Sequence, residues 1–173
     1  MYSILKYIDD TDKSLGLAGM AITLVACDCE DMLASVSMED EEEPLQMAGE
    51  FFFNGNPRFS AKIAWNEILK QYQIISSLLM GNVLCRRLCV GRSVEQELLD
   101  AVREIMETEG KDNCSLETDE ISSLYNKNYN YYNRLFSHPT VAVIARDFAT
   151  TLRMQRRMTS GEVIENLRRL SSI

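Results

Sequence analysis

From Ser14 to Cys27 the chain carries no charged residue. This run, more than any other feature, limits what the chain can fold into. It falls well short of the ~20 apolar residues that a helix needs to cross a bilayer. An uncharged segment of that length in a polar chain therefore belongs in a protein core. Leu15, Ala18, Ile22, Val25, Cys29, Met32 and Val36 recur at alternating spacings of three and four, which is one face of a helix. Leu17, Ala21 and Leu24 add a second apolar face, as in a central helix rather than a surface one. The spacing predicts a long helix from an N-cap near Asp12 to about Val36. The like charges Glu39 to Glu43 then end it as a solvated loop. Gly16 and Gly19 are not followed by Gly-Lys-Ser/Thr, so they are no phosphate loop. Small residues three apart instead predict a close helix crossing.

The rest of the chain keeps the same period. Pro44 can open a short helix through Phe53, and Asn54-Gly55-Asn56-Pro57 reads as a turn. A helix from about Ser60 to Val90 follows, with Trp65, Ile68, Tyr72, Ile75, Leu79 and Val83 as its seam. Gly81-Asn82 is a place to kink it, and Gly91 is a good residue to end it. Ser93 to Gln96 fits a capping box, opening a helix lined by Val94, Leu98, Ala101 and Ile105 and ended by Gly110. Thr118 with two acids starts a helix whose face is Ile121, Tyr125, Asn128, Tyr132 and Leu135. Pro139 opens another through Val141, Ala145, Phe148 and Leu152. Thr159 to Glu162 is a second capping box before a last helix. No segment reads as a convincing strand, and only 3 Pro and 8 Gly argue against a turn-rich β fold. The expectation is an all-α protein, a compact multi-helix bundle of about six helices with mostly antiparallel neighbours. Its 173 residues suit a single helical domain over 1–173, with a mobile acidic loop at roughly residues 37–45.

The net charge is −8, and it is unevenly spread. Residues 1–60 hold 3 basic and 12 acidic side chains, net −9, while residues 134–173 hold 7 and 3, net +4. This balance disfavours a general nucleic-acid binder, which needs Lys and Arg to displace counterions. It also disfavours attachment to anionic lipid. Five cysteines, an odd number in a chain large enough to have a core, read as reduced thiols and a cytoplasmic protein. Leu24-Val25-Ala26-Cys27 looks like a bacterial lipoprotein cleavage box. A lipid anchor at Cys27 is disfavoured because Lys6 and Lys13 stand against Asp9, Asp10 and Asp12, where an export signal would be positive. No membrane span is expected.

No catalytic or metal motif stands out, and no cofactor is expected. His138 is the sole histidine, which removes most two-histidine metal sites and the serine-histidine pair. It reads as a junction residue before Pro139. Cys85 and Cys89 lie one turn apart on one helix face, whereas Cys27 and Cys29 would diverge by about 200° on a helix. Core packing is the simpler reading of both pairs. Two surfaces stand out as candidate interaction sites. One is an Arg stripe on the helix opened by Pro139, made of Arg146, Arg153, Arg156 and Arg157, with Arg153 and Arg157 sharing a face, as do Arg146 and Arg153. The other is the Tyr/Asn interleaving around Tyr129 and Tyr131, since tyrosine gives contact area at low entropic cost.

Two functional classes follow. The leading expectation is a non-enzymatic protein-protein interaction or self-associating module, its Arg-rich end meeting acids of this chain or of another molecule. The alternative is an enzyme or small-ligand binder with a site in the bundle core near Trp65, Tyr72 and the cysteines.

Overall fold

The structure is a computed structural model, and it describes residues 6–49 and 61–172. Among these are six α-helices: α1 (Asp10–Ala26), α2 (Ala61–Leu88), α3 (Gln96–Cys114), α4 (Thr118–Ser137), α5 (Pro139–Gln155) and α6 (Ser160–Leu167). Three short strands, β1 (Leu33–Ser37), β2 (Leu45–Met47) and β3 (Arg157–Thr159), complete the fold. It is an all-α architecture with a small antiparallel sheet at one side, ordered β2-β1-β3. No described helix is long and apolar enough to cross a membrane. The turn at Asn54 to Pro57 and the end of the helix expected after Pro44 lie outside the described residues.

The uncharged run is the central helix. Every residue of α1 from Ser14 to Leu24 is buried, and α1 packs mainly against α2 and α5. The helix starts three residues earlier than the spacing predicts. Asp9 is the N-cap, its carboxylate accepting from the Asp12 amide at 2.8 Å. Gly19 lies against the backbone of Gly81 on α2, so the two glycines allow a close α1–α2 crossing. A side chain on either would displace backbone or Thr23.

The largest difference from the sequence reading follows α1. The helix stops at Ala26, because Asp28 takes a left-handed φ of 52°, a conformation that short polar side chains tolerate. Leu33 to Ser37 then form a strand in place of the helix expected through Val36. Val36 pairs with Leu45 on one side and Met158 on the other. The acids after Ser37 lie between β1 and β2, where a helix was expected to open at Pro44. The Asp40 carboxylate accepts from the Glu42 and Glu43 amides, and the Lys13 ammonium donates to the carbonyls of Met38 and Asp40. Two further boundaries move. Glu95, not Ser93, precedes α3, and α3 runs past Gly110 to Cys114. Gly110 instead gives room to the Tyr72 hydroxyl and Ile121.

The start of α1 meets the end of α2 in a buried charge cluster. Asp12, Arg86 and Arg87 are all buried. Both Arg86 and Arg87 bind the Asp12 carboxylate, Arg86 through Nε at 2.8 Å and Arg87 through Nη1 at 2.9 Å. Arg87 also holds Glu95 with Nε at 2.8 Å, and Arg86 lies 4.8 Å from the centre of the Tyr7 ring. An acid in the first turn of one helix and cations in the last turn of the other also suit both helix dipoles.

Burial pushes the Asp12 carboxyl up. Hydrogen bonds from Arg86 and the Ile8 amide, with the Arg86 charge, outweigh it and hold the group below its ordinary value. A depressed carboxylate contributes stability that is whole above the unfolded value, about pH 4, and is lost as pH falls through the folded one. The urea midpoint is therefore expected to hold between pH 7 and pH 5 and to drop by pH 3. An unchanged midpoint at pH 3 would show that Asp12 is not ionised in the fold.

Candidate functional site

A cleft of about 530 Å³ opens between the C-terminal end of α1 and the middle turns of α2 and α4. Its apolar wall is Ala26, Ile74 and Leu124. Cys27 and Cys29 both line it. The sequence reading had set these two on opposite faces of one helix; the left-handed turn at Asp28 brings both to the same opening. The Cys27 sulfur lies 3.0 Å from the Tyr132 hydroxyl, and the Cys29 thiol donates to the Cys27 carbonyl at 3.2 Å.

Asn128 gives the cleft its most telling group. Its side chain is only 7% exposed, and its amide nitrogen has no hydrogen-bond partner among the described residues. Leaving a buried donor unsatisfied costs about 1–3 kcal/mol, so such a group calls for a partner. Two ammonium groups, Lys70 and Lys127, flank the same opening, and no carboxylate is among its lining residues. In a chain of net charge −8 that is a local reversal of sign.

Burial acts on two of the cleft's titratable groups. Burial, then the contact with Cys27, pushes the Tyr132 phenol well above its ordinary value. Burial likewise raises the Cys29 thiol. Both stay protonated near neutral pH, and the Cys29 thiol is a donor. His138 is elsewhere, exposed between α4 and α5. Among the described residues no group of three or more His, Cys, Asp or Glu is placed to hold a metal ion. Cys85 and Cys89 face each other in the core with their sulfurs 3.6 Å apart.

The sequence-predicted surfaces divide. Tyr131 is 49% exposed and lines the cleft. Tyr129 is half-buried and stacks on Tyr125 with the ring centres 6.5 Å apart. The Arg stripe does not form one face. α5 ends at Gln155, Arg156 takes a left-handed φ of 66°, and Arg157 is on β3, so Arg153 and Arg157 are on different elements. Arg146 donates to the Cys89 carbonyl at 2.8 Å, and Arg153 to the Thr11 hydroxyl at 2.7 Å. Arg156 pairs with Asp10 at 2.7 Å and more loosely with Glu39 at 3.9 Å. These three guanidinium groups are engaged inside the chain, and Arg157 is exposed. Trp65 and Tyr72 take no part in the cleft, and Trp65 is 45% exposed rather than part of the core seam.

Lys70 was not singled out from the sequence, Asn128 was noticed as a candidate for function only within the Tyr/Asn interleaving, and Cys27, read as core packing, is exposed. Asn128 did leave a signal: an amide at a core position of an otherwise apolar helix face. No protein-family model, curated protein or solved structure matches the chain.

Proposed function

We propose that this protein is a helical interaction module that binds an acidic, partly apolar peptide segment of a partner in the cleft between α1, α2 and α4. The buried, unpartnered amide of Asn128 carries the reading, because Asn128 lines the cleft together with Lys70 and Lys127, which supply positive charge. A carboxylate would satisfy the amide and both ammonium groups, while Ala26, Ile74 and Leu124 take the apolar part. The cleft is open rather than enclosed, which suits a side chain presented by an extended segment better than a small molecule buried on all sides. The exposed ring of Tyr131 adds rigid contact area at its edge.

A fluorescein-labelled peptide of alternating Glu and Leu, compared by anisotropy with its Gln/Leu counterpart, tests this. The Glu peptide is expected to bind more tightly, against the protein's overall charge. Lys70→Glu with Lys127→Glu should weaken it at least tenfold, about 1.4 kcal/mol. Asn128→Leu should weaken it while the double variant's circular dichroism stays native. Equal binding of the two peptides, or indifference to the lysine changes, rejects the proposal.

Self-association is a second reading, favoured by one observation. Glu41, Glu42 and Glu43 are exposed on the connection between β1 and β2, and a second copy could offer them to the cleft. Light scattering would then show a dimer that the lysine changes dissolve.

A further inference from the structure

Tyr131 is shared between two openings. It also lines a second cleft of about 400 Å³, whose lining includes the carboxylates of Asp28 and Glu30 and the apolar Ile22, Leu135 and Val141. Ala26 and Tyr131 line both clefts, so the two adjoin at that backbone and ring. Their polar groups are sorted by sign. Lys70, Lys127 and the free amide of Asn128 line the first. The second is lined by two carboxylates and no cation, and one Glu30 carboxylate oxygen is buried with no partner among the described residues. A buried carboxylate oxygen and a buried amide, each unmet, point to ligand groups of opposite chemistry. The left-handed turn at Asp28 makes this possible, since it puts Cys27 into one cleft and Asp28 into the other.

We propose that the two clefts are one bipolar site, which takes an extended peptide segment with an acidic side chain in the first and a basic side chain in the second. The segment crosses Tyr131 on an apolar residue between them. This rests on the reading of the first cleft given above and adds the specificity that a purely acidic peptide would miss. A segment of the wrong polarity would set like charges together in both clefts, so the site also reads chain direction.

The test uses labelled peptides with one Glu and one Lys separated by one to four apolar residues, each beside a version with Gln in place of Lys. At one or two spacings the Lys peptide is expected to bind about fivefold more tightly than its Gln partner, the scale of one partly exposed ion pair. Asp28→Asn with Glu30→Gln should abolish that gain and leave the Gln peptide's affinity unchanged. Asn tolerates the left-handed backbone at position 28, so the variant should keep its fold, which circular dichroism checks. Glu97→Gln with Glu104→Gln, exposed acids on α3, which lines neither cleft, should leave the gain intact. If Lys and Gln peptides bind alike at every spacing, or if the gain survives the Asp28/Glu30 changes, the bipolar site is overturned while the first cleft's reading stands. If no peptide binds, the Gln versions included, both fall together.

Discussion

Asp12→Ala is expected to lower stability by about 3–5 kcal/mol, the loss typical of removing one partner from a buried ion pair. The change leaves the Arg86 guanidinium, 2% exposed, with its charge buried and its main partner gone. Arg87 loses one of its two carboxylates but keeps Glu95, whose side chain is half exposed, so the larger share of the loss falls on Arg86. The Ile8 amide, which donates to the Asp12 carboxylate at 3.0 Å, is also freed. Replacing the whole cluster tests the cause. Asp12→Leu combined with Arg86→Met and Arg87→Leu removes every desolvated charge together, and such exchanges are often neutral or stabilising. The triple variant is therefore expected to recover most of what the single change loses. Urea unfolding measures both. A loss under ~1 kcal/mol for Asp12→Ala would put the pair on a par with exposed salt bridges and refute its burial.

That cluster was not legible in the sequence, and the reason is physical. Asp12 and Arg86 are 74 residues apart, and a charged residue at a helix end has the same local pattern whether it is wet or buried. Helices were legible because amphipathic period is a local property: Ile121, Tyr125 and Tyr132 on α4, and Val141, Ala145, Phe148 and Leu152 on α5, are all buried as their spacing implies. Strand β1 was misread for a related reason. Cys29, Met32 and Val36 keep helical spacing, but Val36 is buried through pairing with Met158, a residue from the far end of the chain. Tertiary pairing then overrides local propensity. Trp65 shows the limit of a seam argument. It sits at helical spacing with Ile68 and Tyr72, yet it is 45% exposed, and its indole N–H donates to the Cys114 carbonyl at the end of α3. The cleft was half legible. Tyr131 and the amide on the α4 core face were visible as unusual, whereas the meeting of Cys27, Lys70 and Asn128 depends on three elements crossing.

The second large effect is expected at the α1–α2 crossing. A Cβ on Gly19 would come within 2.5 Å of the Cys85 Cβ and 2.9 Å of the Gly81 carbonyl carbon. Neither is the far end of a flexible side chain, so the helices must separate. Overpacking of a tight core costs roughly 1–3 kcal/mol, and backbone contact on this scale belongs at the upper end. Gly→Ala within a helix ordinarily gains about 1 kcal/mol in propensity, which offsets only part of it. Gly19→Ala is therefore expected to be destabilised by about 2 kcal/mol, the difference between those terms. Gly19→Leu should give no folded protein. Gly161 supplies the comparison within the same chain. It lies in the first turn of α6, and a Cβ there meets nothing within 4 Å. Gly161→Ala should stabilise by about 0.5–1 kcal/mol through the unfolded chain's lost freedom. Thermal melts of the two alanine variants should thus move in opposite directions. If Gly19→Ala instead melts at or above the parent temperature, the glycine contact is not what sets the helix separation. The central helix would then be held by its larger side chains, Leu17, Met20 and Leu24, alone.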